Sequence, residues 1–240
     1  MSKRSLIQSL NDAADGFVHM VRTERNMRIH FFFGFLVLVA ATLFGINRAE
    51  WMILCASIAL VFVTEMINTV IEDTLDAVEP RLTHPVRRIK HAAAAAVLVS
   101  ALNALIIGFL VFSTYWSTPF ERMIRVRYAS WHVTFITLLM VIFLTVAGKA
   151  FFGRGPGHPA GHGTPFRGGA VSGHAAVAFA LWTVVLFSQT NAFIVMVTLL
   201  LALLVAQSRL RAKIHSLIEV LAGAAIGFLV ATLFFQVFKP

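Results

Sequence analysis

The stretch "WMILCASIALVFVTEMINTVIEDTLDAV", residues 51–78, joins a long apolar run to a cluster of carboxylates. About 20 apolar residues are enough for a helix to cross the hydrocarbon core of a bilayer. Carboxylates at membrane depth are costly and usually face the interior of a helix bundle, where they serve a function. The stretch therefore predicts a membrane helix with a functional polar site near one end.

The rest of the chain is equally apolar. Hydrophobic residues make up 58% of the 240 residues and charged residues only 13%, whereas about a quarter of a soluble domain is charged. The first 30 residues are polar, so no cleavable signal peptide is expected before the first span. We predict an all-α integral membrane protein with about seven transmembrane helices, at about 30–47, 51–72, 92–113, 129–148, 172–188, 191–207 and 216–238.

The net charge of +9 does not point to a nucleic-acid partner. Most lysine and arginine residues lie in short loops beside predicted spans, which is the distribution that orients membrane proteins with their basic loops inside. This bias predicts a multi-pass protein with a cytoplasmic N-terminus and no nucleic-acid partner. The lone Cys55 excludes an intramolecular disulfide.

The carboxylates of residues 65–76 follow a helical period. At 100° per residue, Glu65, Asn68, Glu72 and Asp76 form one stripe, whereas Asp73 points elsewhere and is expected to be solvated. The stripe either binds neighbouring helices or forms a cation site, since Mg²⁺ is commonly held by one or two carboxylates plus substrate phosphates. Two charged residues outside the stripe belong to the same candidate site: Glu24 in "TERNMRIH" and Lys90 in "RRIKHAAAAAVL".

Four segments of the first half resemble the prokaryotic diacylglycerol kinase and undecaprenol kinase family over residues 5–112. They are "ERNMRIH", "EW" at 50–51, "EMINTVIEDTLD" and the lysine of "IKHAAAAAVL". The resemblance implies a homotrimer of three-helix subunits with ATP sites between subunits at the cytoplasmic surface. His91 stands where the family usually has aspartate, so the kinase is expected to be slowed, retuned or lost.

The same resemblance implies a role for each polar residue of the site. Glu65 is the implied general base for the lipid hydroxyl, and Glu24 and Glu72 are the implied ligands of Mg²⁺ on ATP. The implied phosphate-positioning residues are Asn68, Asp76 and Lys90.

The second half carries a different polar pattern. Glu219 is the only carboxylate after Glu121, and it follows His215 by four residues in "SRLRAKIHSLIEVLAG". Positions i and i+4 share a helix face, so the pair is either a structural hydrogen bond or an oriented catalytic histidine. In "SGH", residues 172–174, a serine N-cap with free amides behind it forms a natural anion site.

Together these motifs resemble the type 2 phosphatidic acid phosphatase superfamily over about 129–235. Ser-Gly-His is intact, and the last motif, Ser208-Arg209-x5-His215-x3-Glu219, has glutamate for the usual aspartate. The first motif is degraded, because the family spacing from Lys149 puts Pro156 where arginine belongs.

The phosphatase resemblance implies a mechanism without metal or other cofactor. His215, oriented by Glu219, attacks phosphorus to form a phosphohistidine, and His174 protonates the leaving group. The implied phosphate-binding residues are Lys149, Arg154, Arg167, Ser172, Gly173, Ser208 and Arg209. His158 and His162 are a weaker alternative as metal ligands, since no carboxylate is near them in the sequence.

The joint prediction is a bifunctional lipid phosphate enzyme of the bacterial inner membrane. Residues 1–112 form the kinase-like domain, 113–128 connect, and 129–240 form a four-helix phosphatase-like bundle. The kinase half is expected to use ATP and Mg²⁺ on diacylglycerol or undecaprenol. The phosphatase substrate is left open among phosphatidic acid, phosphatidylglycerol phosphate and undecaprenyl phosphate or pyrophosphate.

Two alternatives remain for the function of the whole chain. The first is a phosphatase whose degenerate kinase module acts as an oligomerisation scaffold. The second is a non-catalytic ion or proton pathway that uses the carboxylate stripe of residues 65–76; it predicts no phosphate release and leaves the histidine motifs unexplained.

Overall fold

The computed structural model describes residues 6–79, 81–115, 130–152, 171–188, 191–212 and 214–238. Within these ranges all regular secondary structure is α-helical, as the sequence predicts. The helices are α1 (Leu6–Thr23), α2 (Arg25–Phe44), α3 (Arg48–Val78), α4 (His84–Ser113), α5 (Ser130–Phe152), α6 (Gly173–Ser188), α7 (Ala192–Arg211) and α8 (Leu217–Val237).

Six of these helices are long and apolar enough to cross a membrane: α2, α3, α4, α5 over His132–Phe151, α7 and α8. This confirms the predicted class, an all-α integral membrane protein. The remaining apolar helix, α6, has 16 residues. At 1.5 Å per residue it is about 24 Å long, somewhat less than the roughly 30 Å hydrocarbon core of a bilayer. Among the described residues, the seven predicted spans are therefore six full-length helices and one shorter helix.

Helices α3 and α4 extend beyond the apolar spans predicted for them. Helix α3 continues to Val78 rather than ending near residue 72, and α4 begins at His84 rather than near residue 92. The charged residues at these ends are part of the helices, because helix formation does not stop where the apolar zone stops. Asp76 and Lys90 are therefore held on helical backbone, so helical spacing remains a valid guide to their positions.

The chain divides into two compact units. One is Met20–Ile124, and the other joins Met1–His19 to Arg125–Pro240. The boundary near the N-terminus falls inside α1, so Asp15 belongs to the same unit as α5 to α8. Most of the predicted connecting segment lies outside the described residues, and the domain limits 1–112, 113–128 and 129–240 stay a prediction.

The unit formed by α2, α3 and α4 is fixed by polar contacts at the start and in the middle of α3. Asn47 and Glu50 form a capping box at the start of α3, and the Tyr115 hydroxyl donates to Glu50 Oε2 at 2.6 Å. Further along α3, the hydroxyl oxygens of Thr64 and Ser100 lie 2.7 Å apart and join it to α4. These bonds hold the helix that carries the carboxylate stripe against its neighbour.

Helices α6 and α8 run parallel and in close contact. A Cβ added at Gly223 would collide with the carbonyl oxygen of Ser172, and one added at Gly227 with that of Ala176. Small residues four positions apart let membrane helices approach backbone to backbone. The buried residues that continue this packing are Val141, Ala176, Ala180 and Ala231. The contact brings the first turn of α8 level with the start of α6.

Candidate functional site

The carboxylate stripe of α3 runs from a buried end to an exposed end. Glu65 and Asn68 are 3% and 7% exposed, Glu72 is half-buried, and Asp76 is exposed. The side-chain amide of Asn68 donates to Glu72 Oε1 at 3.0 Å. Asp73 is exposed, as expected for a residue off the stripe. The polar groups that reach deepest into the helix bundle are therefore those at the N-terminal end of the stripe.

Residues from the start of α2 complete the surroundings of Glu65. Glu24 is the extended N-cap of α2, with φ −87° and ψ 125°, at the break between α1 and α2. Its carboxylate and that of Glu72 both act electrostatically on Glu65, and the exposed Asn26 lies within polar reach of the same carboxylate. The structure thus brings together three of the predicted residues, Glu24, Glu65 and Glu72. It adds Asn26, an exposed residue that nothing in the sequence distinguishes from the other polar residues at the start of α2.

Two buried oxygens in this cluster have unused hydrogen-bonding capacity. Glu65 Oε2 and Asn68 Oδ1 are buried and make no hydrogen bond within the described part of the chain. Buried polar atoms are normally paired, so such atoms at a carboxylate cluster suit a ligand. Among the described residues, no group of three or more His, Cys, Asp and Glu could hold a metal by itself. A Mg²⁺ here would need oxygens from its substrate, which is how Mg²⁺ commonly binds with nucleotides.

The other two predicted nucleotide-positioning residues form an ion pair. Lys90 of α4 donates from Nζ to Asp76 Oδ1 at 2.5 Å. The Asp76 side chain is 61% exposed and that of Lys90 21%, so the carboxylate is the more solvated partner and is accessible to a polar ligand. His91, at the position where the resembled family usually has aspartate, is exposed on α4.

In the second unit, Glu219 holds His215 in a defined orientation. His215 Nδ1 lies 3.0 Å from Glu219 Oε2, and the same oxygen accepts the Ser216 amide at 3.1 Å. Ser216 and Glu219 form the capping box that begins α8. Glu219 therefore both caps a helix and orients the buried His215, which is 8% exposed. The predicted contact is present, but His215 precedes the N-cap Ser216, so the turn before α8 and not a shared helix face brings the two side chains together.

The turn between α7 and α8 brings the backbone of His215 close to that of Arg209. The amides of Ile214 and His215 donate to the Arg209 carbonyl at 3.2 and 3.5 Å. Arg209 Nε donates to Ser208 Oγ at 3.2 Å, while the Ser208 hydroxyl donates to the Val205 carbonyl. The Ser208-Arg209 part and the His215 part of the last predicted motif are thus held together by one short turn.

The Ser-Gly-His segment and Lys149 converge on the same place. Ser172 is fully buried, its Oγ accepts the Ala175 amide at 3.5 Å, and its own amide donates to the Glu219 carbonyl at 3.0 Å. Lys149 Nζ lies 4.0 Å from the position a Cβ would occupy at Gly173. His174 is within electrostatic range of the three predicted residues Lys149, Arg209 and His215. The structure therefore brings Lys149, Ser172, Gly173, His174, Ser208, Arg209, His215 and Glu219 to one end of α5 to α8.

The electrostatic surroundings keep His215 neutral. Burial lowers the pKa of His215 below its ordinary value, and the positive charges of Lys149 and Arg209 act in the same direction. The hydrogen bond and charge of Glu219 oppose this shift. A lowered pKa leaves the imidazole unprotonated at neutral pH, which is the state a nucleophile requires.

Asp15 of α1 is a further acidic group near this cluster, and the sequence analysis did not select it. Its Oδ1 is buried without a hydrogen bond in the described region. Burial raises the pKa of Asp15 to about 6, the charge of Asp12 adds to the rise, and Lys149 opposes it. An acid near Lys149 is not apparent from sequence, because the two residues are far apart in the chain.

Four residues named in the sequence analysis lie outside the described residues. Arg154 and Arg167 are predicted phosphate-binding residues, and His158 and His162 are the weaker metal-ligand candidates. These assignments stay predictions.

The fold and these clusters define a polytopic helical membrane protein with a buried carboxylate site in one unit and an oriented histidine in the other. The chain belongs to the prokaryotic diacylglycerol kinase family, whose model matches residues 11–112. It is 38% identical over 106 residues to undecaprenol kinase of Bacillus subtilis, covering 44% of this chain and 85% of that protein. It is 34% identical over 105 residues to diacylglycerol kinase of Synechocystis sp., covering 43% of this chain and 60% of that protein. No solved structure matches the chain.

The family match confirms the resemblance inferred for the first half. It ends at residue 112, close to the end of α4 at Ser113. The phosphatase resemblance concerns the residues beyond that limit, and it stays a prediction that stands on the geometry around His215.

Proposed function

We propose that this chain is a bifunctional enzyme of membrane lipid phosphates, with a lipid kinase in α2 to α4 and a metal-independent lipid phosphatase in α5 to α8. The observation that carries the phosphatase is the 3.0 Å contact of His215 with Glu219, whose backbone carbonyl also holds Ser172. The kinase is supported by the family match and by the buried Glu65 beside two further carboxylates.

In the phosphatase half, His215 is the nucleophile. Its Nδ1 is engaged by Glu219, so Nε2 is the nitrogen left to attack phosphorus. A P–N bond forms as the bond from phosphorus to the lipid oxygen breaks, and His174 gives that oxygen a proton. Water then attacks phosphorus and the P–N bond breaks. His174 takes a proton from the water, and phosphate is released.

The transferred phosphoryl group is held by positive charges and amide donors. Preorganised donors of this kind supply most of the stabilisation in phosphoryl transfer. The proposed phosphate-binding residues are Lys149, Arg154, Arg167, Ser172, Gly173, Ser208 and Arg209. The substrate is a lipid monophosphate or pyrophosphate, such as phosphatidic acid or an undecaprenyl phosphate.

In the kinase half, Glu65 is the general base. It accepts the proton of a lipid hydroxyl as the hydroxyl oxygen attacks the γ-phosphorus of ATP, and the bond to the β-phosphate oxygen breaks to leave ADP. Asn68, Asp76 and Lys90 position the phosphates. Mg²⁺, held by Glu24 and Glu72 together with ATP, would offset the negative charge of those phosphates. Diacylglycerol and undecaprenol are the lipid alcohols proposed as substrates.

The assembly and location follow from the family resemblance. We propose a homotrimer in a bacterial inner membrane, with the N-terminus in the cytoplasm. Cross-linking of the purified protein in lipid nanodiscs tests the oligomer, because a trimer gives a ladder that ends at three subunits.

One set of assays tests both activities. Purified full-length protein is given ATP with Mg²⁺ and a panel of lipid alcohols, and separately a panel of lipid phosphates. His215→Ala should abolish phosphate release and EDTA should leave it unchanged, while Glu72→Gln should abolish only the ATP-dependent reaction. Loss of phosphate release in EDTA would contradict the metal-free mechanism.

The same assays separate the two alternatives. A scaffold role for the kinase half predicts phosphate release without any lipid phosphorylation. His91→Asp, which restores the residue usual in the family, is then the variant to assay for lipid phosphorylation. An ion or proton pathway predicts neither reaction, and instead predicts proton or cation flux into liposomes that Glu65→Gln removes.

A further inference from the structure

Two polar groups of α5 face the backbone of Gly173 at the start of α6. A Cβ added at Gly173 would lie 3.9 Å from Thr145 Oγ1 and 4.0 Å from Lys149 Nζ. These are ordinary van der Waals distances, so an atom at this point would touch the hydroxyl and the ammonium group without displacing either. Thr145 is 6% exposed and lies four residues before Lys149, on the same face of α5.

The start of α6 is held in place from both sides. A Cβ added at Gly148 would lie only 3.1 Å from Val171 Cγ2, which shows how closely α5 packs against the residues before α6. The next residue, Ser172, donates its amide to the Glu219 carbonyl at 3.0 Å. The hydroxyl and the ammonium group of α5 therefore face a fixed point, close to the carboxylate that orients the proposed nucleophile.

The Thr145 hydroxyl can change its hydrogen-bond partner without leaving a buried group unpaired. It donates to the Ile142 carbonyl at 2.9 Å, the local bond that threonine commonly makes to its own helix. In an α-helix the same carbonyl also accepts the amide four residues further on. Hydrogen bonds to a charged acceptor are roughly twice as strong as neutral ones, so a phosphoryl oxygen should draw the hydroxyl away from this carbonyl.

We propose that Thr145 is a further phosphate-binding residue: its hydroxyl and the Lys149 ammonium group hold one phosphoryl oxygen against Gly173. This inference rests on the proposed phosphatase function and adds a residue to its site. The first amides of a helix have no partner within the helix, so the amide of Gly173 supplies a third donor. Glycine suits this position because a side chain would occupy the space of the oxygen.

Binding of inorganic phosphate to the purified full-length protein, measured by isothermal titration calorimetry, tests the inference without turnover. Thr145→Val keeps the shape of threonine and removes the hydroxyl. It should raise Kd roughly 10- to 100-fold, the range for a hydrogen bond to a charged group, and lower kcat/KM for a lipid phosphate to a similar extent. Thr145→Ser keeps the hydroxyl and should stay within about threefold of wild type in Kd.

Thr137→Val is the matched control for loss of a buried hydroxyl. Thr137 is completely buried, about two helical turns before Thr145 in the same helix. Its hydroxyl oxygen makes no hydrogen bond within the described part of the chain. Valine at this position should therefore keep the wild-type Kd for phosphate and the wild-type melting temperature.

Gly173→Ala tests the position of the oxygen itself. The new Cβ fits in ordinary contact with Thr145 Oγ1 and Lys149 Nζ, so the melting temperature should stay near that of wild type. The same Cβ fills the space proposed for the phosphoryl oxygen. Phosphate binding should therefore weaken at least about 10-fold, as expected when an added methyl group crowds a packed site.

Several results would overturn the inference. They are an unchanged Kd in Thr145→Val, an equal loss in Thr137→Val, and a fall in melting temperature that accounts for the weaker binding. Wild-type binding of phosphate by Gly173→Ala, or no phosphate binding by the wild-type protein, would also overturn it. If the variants alter phosphate binding as expected but the wild-type protein releases phosphate from no lipid, the Thr145 site stands and the proposed phosphatase function fails.

Discussion

At the scale of single residues, Glu219 has two roles that one substitution can separate. A glutamine can still complete a capping box with Ser216, because the motif accepts Glu or Gln. It cannot stabilise the His215 cation or enforce the same tautomer. We therefore expect Glu219→Gln to keep the thermal stability of wild type and to lose phosphate release by at least roughly 100-fold. Wild-type turnover in this variant would mean that the His215–Glu219 contact is structural and not catalytic.

The lowered pKa of His215 makes a prediction about pH. Because His215, the proposed nucleophile, is neutral above its pKa, the proposed phosphatase should show a kcat/KM that rises with pH through a midpoint below about 6.5, the ordinary value for histidine. Arg209→Lys should keep this midpoint, since it keeps the charge. Arg209→Gln should move it upward, because a positive charge that opposes protonation is gone. A midpoint that is the same in both variants would contradict this electrostatic role of Arg209.

Ionisation of Asp15 predicts a second pH effect, on KM for a lipid phosphate. Its pKa of about 6 means that it is ionised above that pH, where its charge weakens the attraction of Lys149 for a phosphate. Asp15→Asn should lower KM for a lipid phosphate about threefold to tenfold at pH 8, an effect of about 1 kcal/mol. The variant and wild type should converge at pH 5. Asp12→Asn, on the exposed side of α1, is the control, and an equal effect in both variants would contradict a specific contact.

At the scale of helices, the parallel contact of α6 with α8 holds the Ser-Gly-His segment of residues 172–174 close to Glu219. A side chain at Gly227 would strike the Ala176 carbonyl, so Gly227→Ala must separate the helices. We expect a loss of about 1–3 kcal/mol of stability and of most phosphate release, because the Ser172–Glu219 bond moves with α8. Gly108→Ala is the matched control, since nothing lies within 4 Å of the added Cβ. Equal melting temperatures for the two variants would contradict the close packing.

Periodicity explains which parts of the site were predictable from sequence. The face of a single helix follows from spacing, so the stripe through Glu65 and Glu72 is predictable. The spacing of four also predicts the His215–Glu219 contact, but His215 lies before α8, so the turn at the helix start makes the contact. Contacts between helices do not follow in the same way. Asn26 comes within polar reach of Glu65 across 39 positions of sequence, and Gly223 and Gly227 look like ordinary small residues in an apolar run. Their roles depend on which helices pack together, which the sequence pattern leaves undetermined.

At the scale of the whole molecule, the membrane crossings predict on which side of the membrane the segment after α5 lies. If the N-terminus is cytoplasmic, α2, α3 and α4 carry the chain outward and α5 returns it, so Gly161 should be inside the cell. Helix α6 must then lead the chain away from the inner side, and α7 must lead it back. His174, at the start of α6, is electrostatically close to Arg209, at the end of α7, which agrees with this return of the chain to the same side. The basic loops favour the same orientation.

A reporter pair fused at Gly161 tests this topology. Green fluorescent protein should fluoresce there and alkaline phosphatase should stay inactive, because the first folds in the cytoplasm and the second requires export. The same pair fused to the N-terminus should give the same signals, since four crossings separate the two positions. Opposite signals at the two positions would mean that one of α2 to α5 does not cross. Export at both would mean that the orientation predicted from the basic residues is reversed, and that the segment after α5 faces the outer surface.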